Sequence, residues 1–223
     1  MPHLSAAEAL QRLRQGNDRF VAGAESRRSI ESPSRRGELA LGQAPFAIVL
    51  GCSDSRVPAE IVFDQTLGDL FVIRVAGNIV APSQVGSIEF AAERFDTKLV
   101  VVLGHSMCGA VEATIEELER PTENRSPNLR LIVDRIRPAV QTLLETELRN
   151  DREQLARLAT RANIRASVDH LRHGSQILEQ LIEKGELLVV GAEYSLETGA
   201  VDFFEGIPEA GGAPMRAASE WSQ

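Results

Sequence analysis

Residues 46–50 and 99–103 constrain this fold most. Both are short runs of Val, Ile, Leu, Ala and Phe without a polar residue. A strand with one face in water alternates apolar and polar residues, so unbroken apolar runs read as strands buried on both faces, the habit of parallel sheets. Each run ends in a chemically loaded segment, Gly51-Cys52-Ser53-Asp54-Ser55-Arg56 after the first and Gly104-His105-Ser106-Met107-Cys108-Gly109 after the second. Ligands of an open parallel sheet bind in the crevice beyond the carboxyl ends of its strands. If the two strands are neighbours, Cys52, His105 and Cys108 converge there as three metal ligands.

Two thiolates and one imidazole suit zinc, one Zn2+ per chain, and three protein ligands leave the fourth tetrahedral position to water or substrate. Asp54 is near enough in sequence to close the shell itself. A bidentate, charge-assisted pair with Arg56 would instead keep the carboxylate ionised and off the metal. Asp54 then accepts the hydrogen bond of the metal's water and aims its lone pair at an electrophile. Two thiolates cancel the charge of zinc, so this water is harder to deprotonate than one on a three-histidine zinc, and activity is expected to rise with pH.

With 223 residues, the chain suits one domain with a substantial core. Its net charge of −8 argues against nucleic acid or an anionic membrane as partner. No apolar stretch approaches the length of a membrane span. The only two cysteines both fall in the motifs, and the amino-terminal residues look like a polar helix rather than a cleaved leader. A disulfide is the bland alternative; thiols kept reduced in a cytoplasmic protein are expected, with attachment to a compartment or shell left open.

Along the chain, Ser5-Ala6-Ala7-Glu8 reads as a capping box, opening a helix striped by Leu10, Leu13, Phe20 and Val21. Residues 26–37 carry Arg27, Arg28, Arg35 and Arg36 around Pro33 and read as a solvated basic loop. Residues 1–40 are read as a helical arm, 41–205 as the catalytic core and 206–223 as an irregular tail. Within the core, residues 69–75 read as a strand and 83–94 as a helix turning Val85, Ile88, Ala92 and Phe95 inward. A helix from Gly109 places Cys108 at its positive end, which favours thiolate. Ser126-Pro127 marks an N-cap with Pro at the first position of a long helix that Pro138 is placed to kink. Residues 151–184 read as one or two helices, 186–191 as a strand, and 194–204 as a hairpin turning at Thr198-Gly199. Alternating strands and helices give an α/β domain, a mainly parallel sheet flanked by helices with an antiparallel edge strand.

The C-x-D-x-R run at Cys52–Asp54–Arg56, the later H-x-x-C at His105–Cys108, and Arg74-Val75-Ala76-Gly77-Asn78 between them closely resemble the β-class carbonic anhydrases, over about residues 10–204. The resemblance implies zinc on Cys52, His105 and Cys108, a catalytic Asp54–Arg56 dyad, and reversible hydration of carbon dioxide to bicarbonate and a proton. It places Phe71, Ala76 and Phe90 in the substrate pocket, Gln43 as a donor to a substrate oxygen, and the backbone of Gly109 beside it. It also implies a pocket shared across a homodimer or higher even oligomer, an amino-terminal arm lying against the partner, and a poorly active monomer. Members with a regulatory bicarbonate site carry a Trp three residues before the first cysteine; Arg74 and Tyr194 match that site here, but Val49 stands in place of the Trp. No bicarbonate-locked state is therefore expected. Val75 replaces an Asn common after that Arg, and nothing in the sequence explains its effect.

Rival readings keep their own signatures. A hydrolase of carbon disulfide or carbonyl sulfide on the same scaffold would share the metal nucleophile. A zinc-stabilised binding or sensor module would use Asp54 as fourth ligand. A redox switch through Cys52 and Cys108 would leave His105, Asp54 and Arg56 without roles. The blander readings are core packing for Phe71 and Phe90, and a solvated helix face for His170 and His173; the same caution covers His3.

Overall fold

All residues of β1 (Ala47–Gly51) and β3 (Leu99–His105) are buried. They occupy the inside of a five-stranded sheet that also contains β2 (Leu70–Arg74), β4 (Leu188–Tyr194) and β5 (Val201–Glu205), in the order β2-β1-β3-β4-β5. The pairs β1–β2, β1–β3 and β3–β4 are parallel, and β5 closes one edge antiparallel to β4. The computed structural model describes residues 4–24, 33–121 and 126–208, without the side chains of 33–36.

The period of two along β1 divides the core. Ala47 and Val49 face a layer built with α1 (Ala6–Val21), whose Ala9, Leu10 and Leu13 are buried in the same cluster. A short α2 (Pro33–Ala40) precedes β1, and α3 (Ala59–Val62) supplies Ala59 and Val62 to this layer. On the other face, Ile48 and Leu50 meet Ile88, Ala91 and Ala92 of α4 (Pro82–Phe95). A third cluster gathers α5 (Gly109–Glu119), α6 (Pro127–Leu144) and α7 (Arg152–His173) around Cys52 and Cys108. The thiols therefore belong to a buried apolar cluster with Val111, Ile115, Ile136 and Leu155.

The structure corrects some local expectations and resolves others. Residues 33–37 lie in α2 rather than in a loop, since Pro33 stands at the helix start, where its fixed φ suits the first turn; residues 26–32 fall outside the described residues. Ser126 is the N-cap of α6, but its side chain makes no capping bond, and the helix runs on through Pro138. The helical stretch after Asp151 is two helices: α7 ends at Gly174, and Ser175 caps α8 (Gln176–Glu183) by accepting the amide of Leu178. The strand expected at 186–191 runs from Leu188 to Tyr194, which pairs with His105 on one side and with Val201 across the hairpin on the other, so the hairpin expected at 194–204 is present. At the amino end, Ser5 and Glu8 form the reciprocal capping box.

Candidate metal centre and active site

Register brings the two motifs together. Gly51 pairs with Leu103, so Cys52 leaves β1 beside the end of β3, where His105 is the last residue. Two residues on, Met107 takes a positive φ and turns the chain into α5, whose N-cap is Cys108. The Sγ atoms of Cys52 and Cys108 and a ring nitrogen of His105 lie within 4.8 Å of one another, and all three residues are buried.

The tautomer of His105 is set locally. Its Nδ1 lies 2.9 Å from the carbonyl of Ser106 and donates to it, leaving Nε2 with a free lone pair. That Nε2 is buried without a hydrogen-bond partner. A buried ring nitrogen facing two sulfurs is unsatisfied by the protein, and a soft divalent cation satisfies it, so the residues fit a metal.

The two thiols are close enough to perturb each other. The hydrogen bond from Cys108 holds the Cys52 thiol far below its ordinary range despite burial, with help from His105 and the amides of Asp54 and Gly77. The same bond, together with burial, holds the Cys108 proton far above its ordinary range, against the pull of the Val111 and Ala110 amides at the start of α5. The amide of Gly77 donates to Cys52 Sγ at 3.3 Å.

Asp54 and Arg56 are fixed on the turn that follows. Arg56 grips the carboxylate with both prongs of its guanidinium, Nε to Oδ1 at 2.9 Å and Nη2 to Oδ2 at 2.7 Å, and its backbone amide adds a bond at 3.0 Å. The Arg56 side-chain bond, opposed by partial burial, holds Asp54 well below the usual carboxylate range. Oδ2 stands 3.9 Å from His105 Nε2, so the carboxylate looks onto the metal position while committed to Arg56. Arg74, at the end of β2, donates to the carbonyls of Cys52 and Asp54 and so holds the loop between them.

The pocket residues expected from the resemblance are placed differently. Ala76 opens the turn that carries Gly77, and Gly109 begins α5 next to Cys108. Gln43 is exposed before the amino end of β1, and β1 separates it from Cys52 by roughly 16 Å. Phe71 pairs with Ile48 near the start of β2 and stacks with Phe90 and Phe95 at 6.3 and 6.0 Å. Phe90 is 53% exposed. Within one chain, then, Cys52, His105, Cys108, Asp54, Arg56, Ala76 and Gly109 gather, while Gln43, Phe71 and Phe90 form the far end of the strands. His173 is exposed between Asp169 and Glu179, away from the centre; His3 falls outside the described residues. Sequence reasoning gave Arg74 no part in holding the motif loop and missed the Ser106 carbonyl; the positive charge at a strand end beside the motif was the only available signal for the first.

The carbonic anhydrase family profile matches residues 47–201. Carbonic anhydrase 2 of Mycobacterium tuberculosis is 38% identical over 201 residues, covering 89% of this chain and 93% of that protein. A carbonic anhydrase of Mycolicibacterium smegmatis is 39% identical over 202 residues, covering 91% and 95%. The β-carbonic anhydrase CafA of Aspergillus fumigatus superposes with a TM-score of 0.68 at 26% identity, covering 90% of this chain and 91% of that one. With its mainly parallel sheet and its Cys-His-Cys cluster at the strand ends, the chain belongs to the β-class carbonic anhydrases, enzymes that interconvert carbon dioxide and bicarbonate.

Proposed function

We propose that the centre holds one zinc ion on Cys52, His105 and Cys108 and leaves its fourth position open for carbon dioxide hydration. The observation that carries this reading is Asp54: both its oxygens are occupied by Arg56, and it is absent from the group of converging donors. A sensor module with Asp54 as fourth ligand would need that carboxylate free. Bound zinc supplies a Lewis acid that acidifies water at the open position. Asp54, kept ionised by Arg56, accepts a hydrogen bond from the attacking oxygen's remaining O–H at a carboxylate oxygen, so a lone pair faces the substrate. Arg74 holds the two carbonyls that fix this loop, and the apolar cluster behind the thiols keeps water from their rear.

The substrate pocket uses Ala76 and Gly109 from the same chain, and Gln43, Phe71 and Phe90 from a second copy. Two features support this: Gln43 and Phe90 are exposed, and they lie at the strand end opposite the metal ligands. A homodimer or higher even oligomer is the active unit. Both cysteines are free, in keeping with a reducing, cytoplasmic setting; among the described residues, no helix is long and apolar enough to cross a membrane. Hydrolysis of carbon disulfide or carbonyl sulfide is not favoured, since the relatives are carbonic anhydrases.

The test is Asp54→Asn, with zinc content and stopped-flow carbon dioxide hydration read from about pH 6.5 to 9. The parent is expected to carry one zinc per chain, with turnover that climbs with pH. The variant is expected to keep its zinc and lose turnover. Loss of zinc in Asp54→Asn would instead make the carboxylate a ligand.

A further inference from the structure

The turn that donates to Cys52 is held from behind by a helix distant in sequence. Gly77 adopts φ 69° and ψ 21°, and Asn78 follows at φ 43°, a conformation that side chains rarely support without outside contacts. A Cβ on Gly77 would lie 2.7 Å from Ile136 Cδ1 and 3.1 Å from Ala110 Cβ, so the turn is packed hard against α6 and α5. Its carbonyls face α7. There Asn163 Nδ2 donates to the carbonyl of Gly77 at 2.8 Å, and Ser167 Oγ donates to the carbonyl of Asn78 at 3.0 Å. Both α7 residues are buried in a helix whose buried face is otherwise mostly apolar.

These bonds fix the 77–78 and 78–79 peptide planes; the Gly77 N–H lies in the preceding plane, hinged to them at the Gly77 Cα that Ile136 and Ala110 crowd into φ 69° and ψ 21°, and it points at Cys52 Sγ. We propose that Asn163 and Ser167 are positioning residues for the metal centre: they hold the 76–78 turn so that the Gly77 amide orients the Cys52 sulfur and limits its electron donation to the metal. An N–H···S bond engages one sulfur lone pair, leaving the others aimed at the cation and lowering the charge the thiolate transfers. The inference rests on the zinc reading above and assigns the helix a role in the chemistry rather than in packing alone.

Asn163→Leu keeps the side chain's size and removes the donor. Zinc affinity of the metal-free protein, read by competition with a chromogenic chelator, is expected to fall about tenfold or more. In the cobalt(II)-substituted protein, the sulfur-to-metal charge-transfer band is expected to move to lower energy. Ser167→Ala should shift both in the same direction, and Ser167→Thr, which keeps a hydroxyl, should restore both. Val168→Ala, a neighbouring core truncation on α7, should lose stability yet leave band and affinity unmoved. If Asn163→Leu does not fold, the pair Ser167→Ala and Ser167→Thr decides the matter by the same readouts. An unshifted band with parental affinity in the donor-deleted variants would overturn the proposal, as would an equal shift in Val168→Ala. A parent that binds no zinc would overturn the zinc reading instead, a result visible before any variant is made.

Discussion

Arg74 makes the sharpest demand on the reasoning, because one side chain spans both functional parts of the loop. Its Nε donates to the Cys52 carbonyl at 2.9 Å, and its Nη2 donates to the Asp54 carbonyl. The Cys52 bond is partly buried, which puts the charge-assisted bond at about 2 kcal/mol; the Asp54 bond is exposed, where water competes, at about 1 kcal/mol. Replacing Arg74 with Met removes both, so unfolding free energy should fall by about 1–3 kcal/mol, the lower end applying if water re-solvates both carbonyls. Were the loop's fixed geometry to lose the same amount, turnover would fall roughly tenfold to a hundredfold, since 1.4 kcal/mol is a factor of ten. Arg74→Lys offers a point charge instead of a fork and should fall between parent and Met. Urea denaturation and stopped-flow hydration at matched zinc content measure the two effects. Full turnover in Arg74→Met would refute the view that Arg74 holds the loop. Arg74 also bears on regulation: its Nε and Nη2 are engaged by the loop, and Val49 stands where members with a regulatory bicarbonate site carry a Trp, so initial rates should show no cooperative inhibition by bicarbonate.

Two further outcomes follow from single groups. Asn17 is 5% exposed and ties α1 to the rest of the chain: its Nδ2 donates to the carbonyls of Val62 and Gly199, and its Oδ1 accepts the amide of Val201. Asn17→Ala should therefore cost about 3 kcal/mol, one for each backbone group left without its partner, read as a lower urea midpoint; an unchanged midpoint would mean that water replaces all three. Asp54 sets an acid limit. Its folded pKa is lowered, so in the acid range the unfolded chain binds more protons, and the stabilisation is present above the ordinary carboxylate value of about 4 and lost as pH falls through the folded value. In reduced, metal-free protein, the stability gap between parent and Asp54→Asn should hold steady from pH 7 to about 5 and begin to narrow below about pH 4, shrinking further as pH falls toward the folded value, and a gap that does not narrow would contradict the ion pair.

What the sequence exposed and what it hid divide along one physical line. β1 and β3 were legible because burial on both faces leaves an unbroken apolar run, and the candidate donors Cys52, His105 and Cys108 were legible because they follow those runs directly. The Asp54–Arg56 pair was equally accessible, since its partners lie two residues apart and one turn closes them. Helix ends were less so: Gly174 and Ser175 break the long helical stretch, yet the same stretch also satisfies an apolar period, and only packing against the sheet decides. The end of β4 was hidden for a related reason, since alternation continues from the strand into the hairpin and register with His105 fixes how far the strand runs. Contacts across long separations left no local trace. Asn163 meets Gly77, and Asn17 meets Val201, through side chains that look, in sequence, like ordinary polar positions on amphipathic helices. A buried polar residue is informative only once its partner is known, because its cost is set by whether that partner exists. The three converging donors were thus readable from strand ends, whereas the polar groups behind their turn came from helices, where a polar side chain facing the core cannot be distinguished from one facing water until the fold places it.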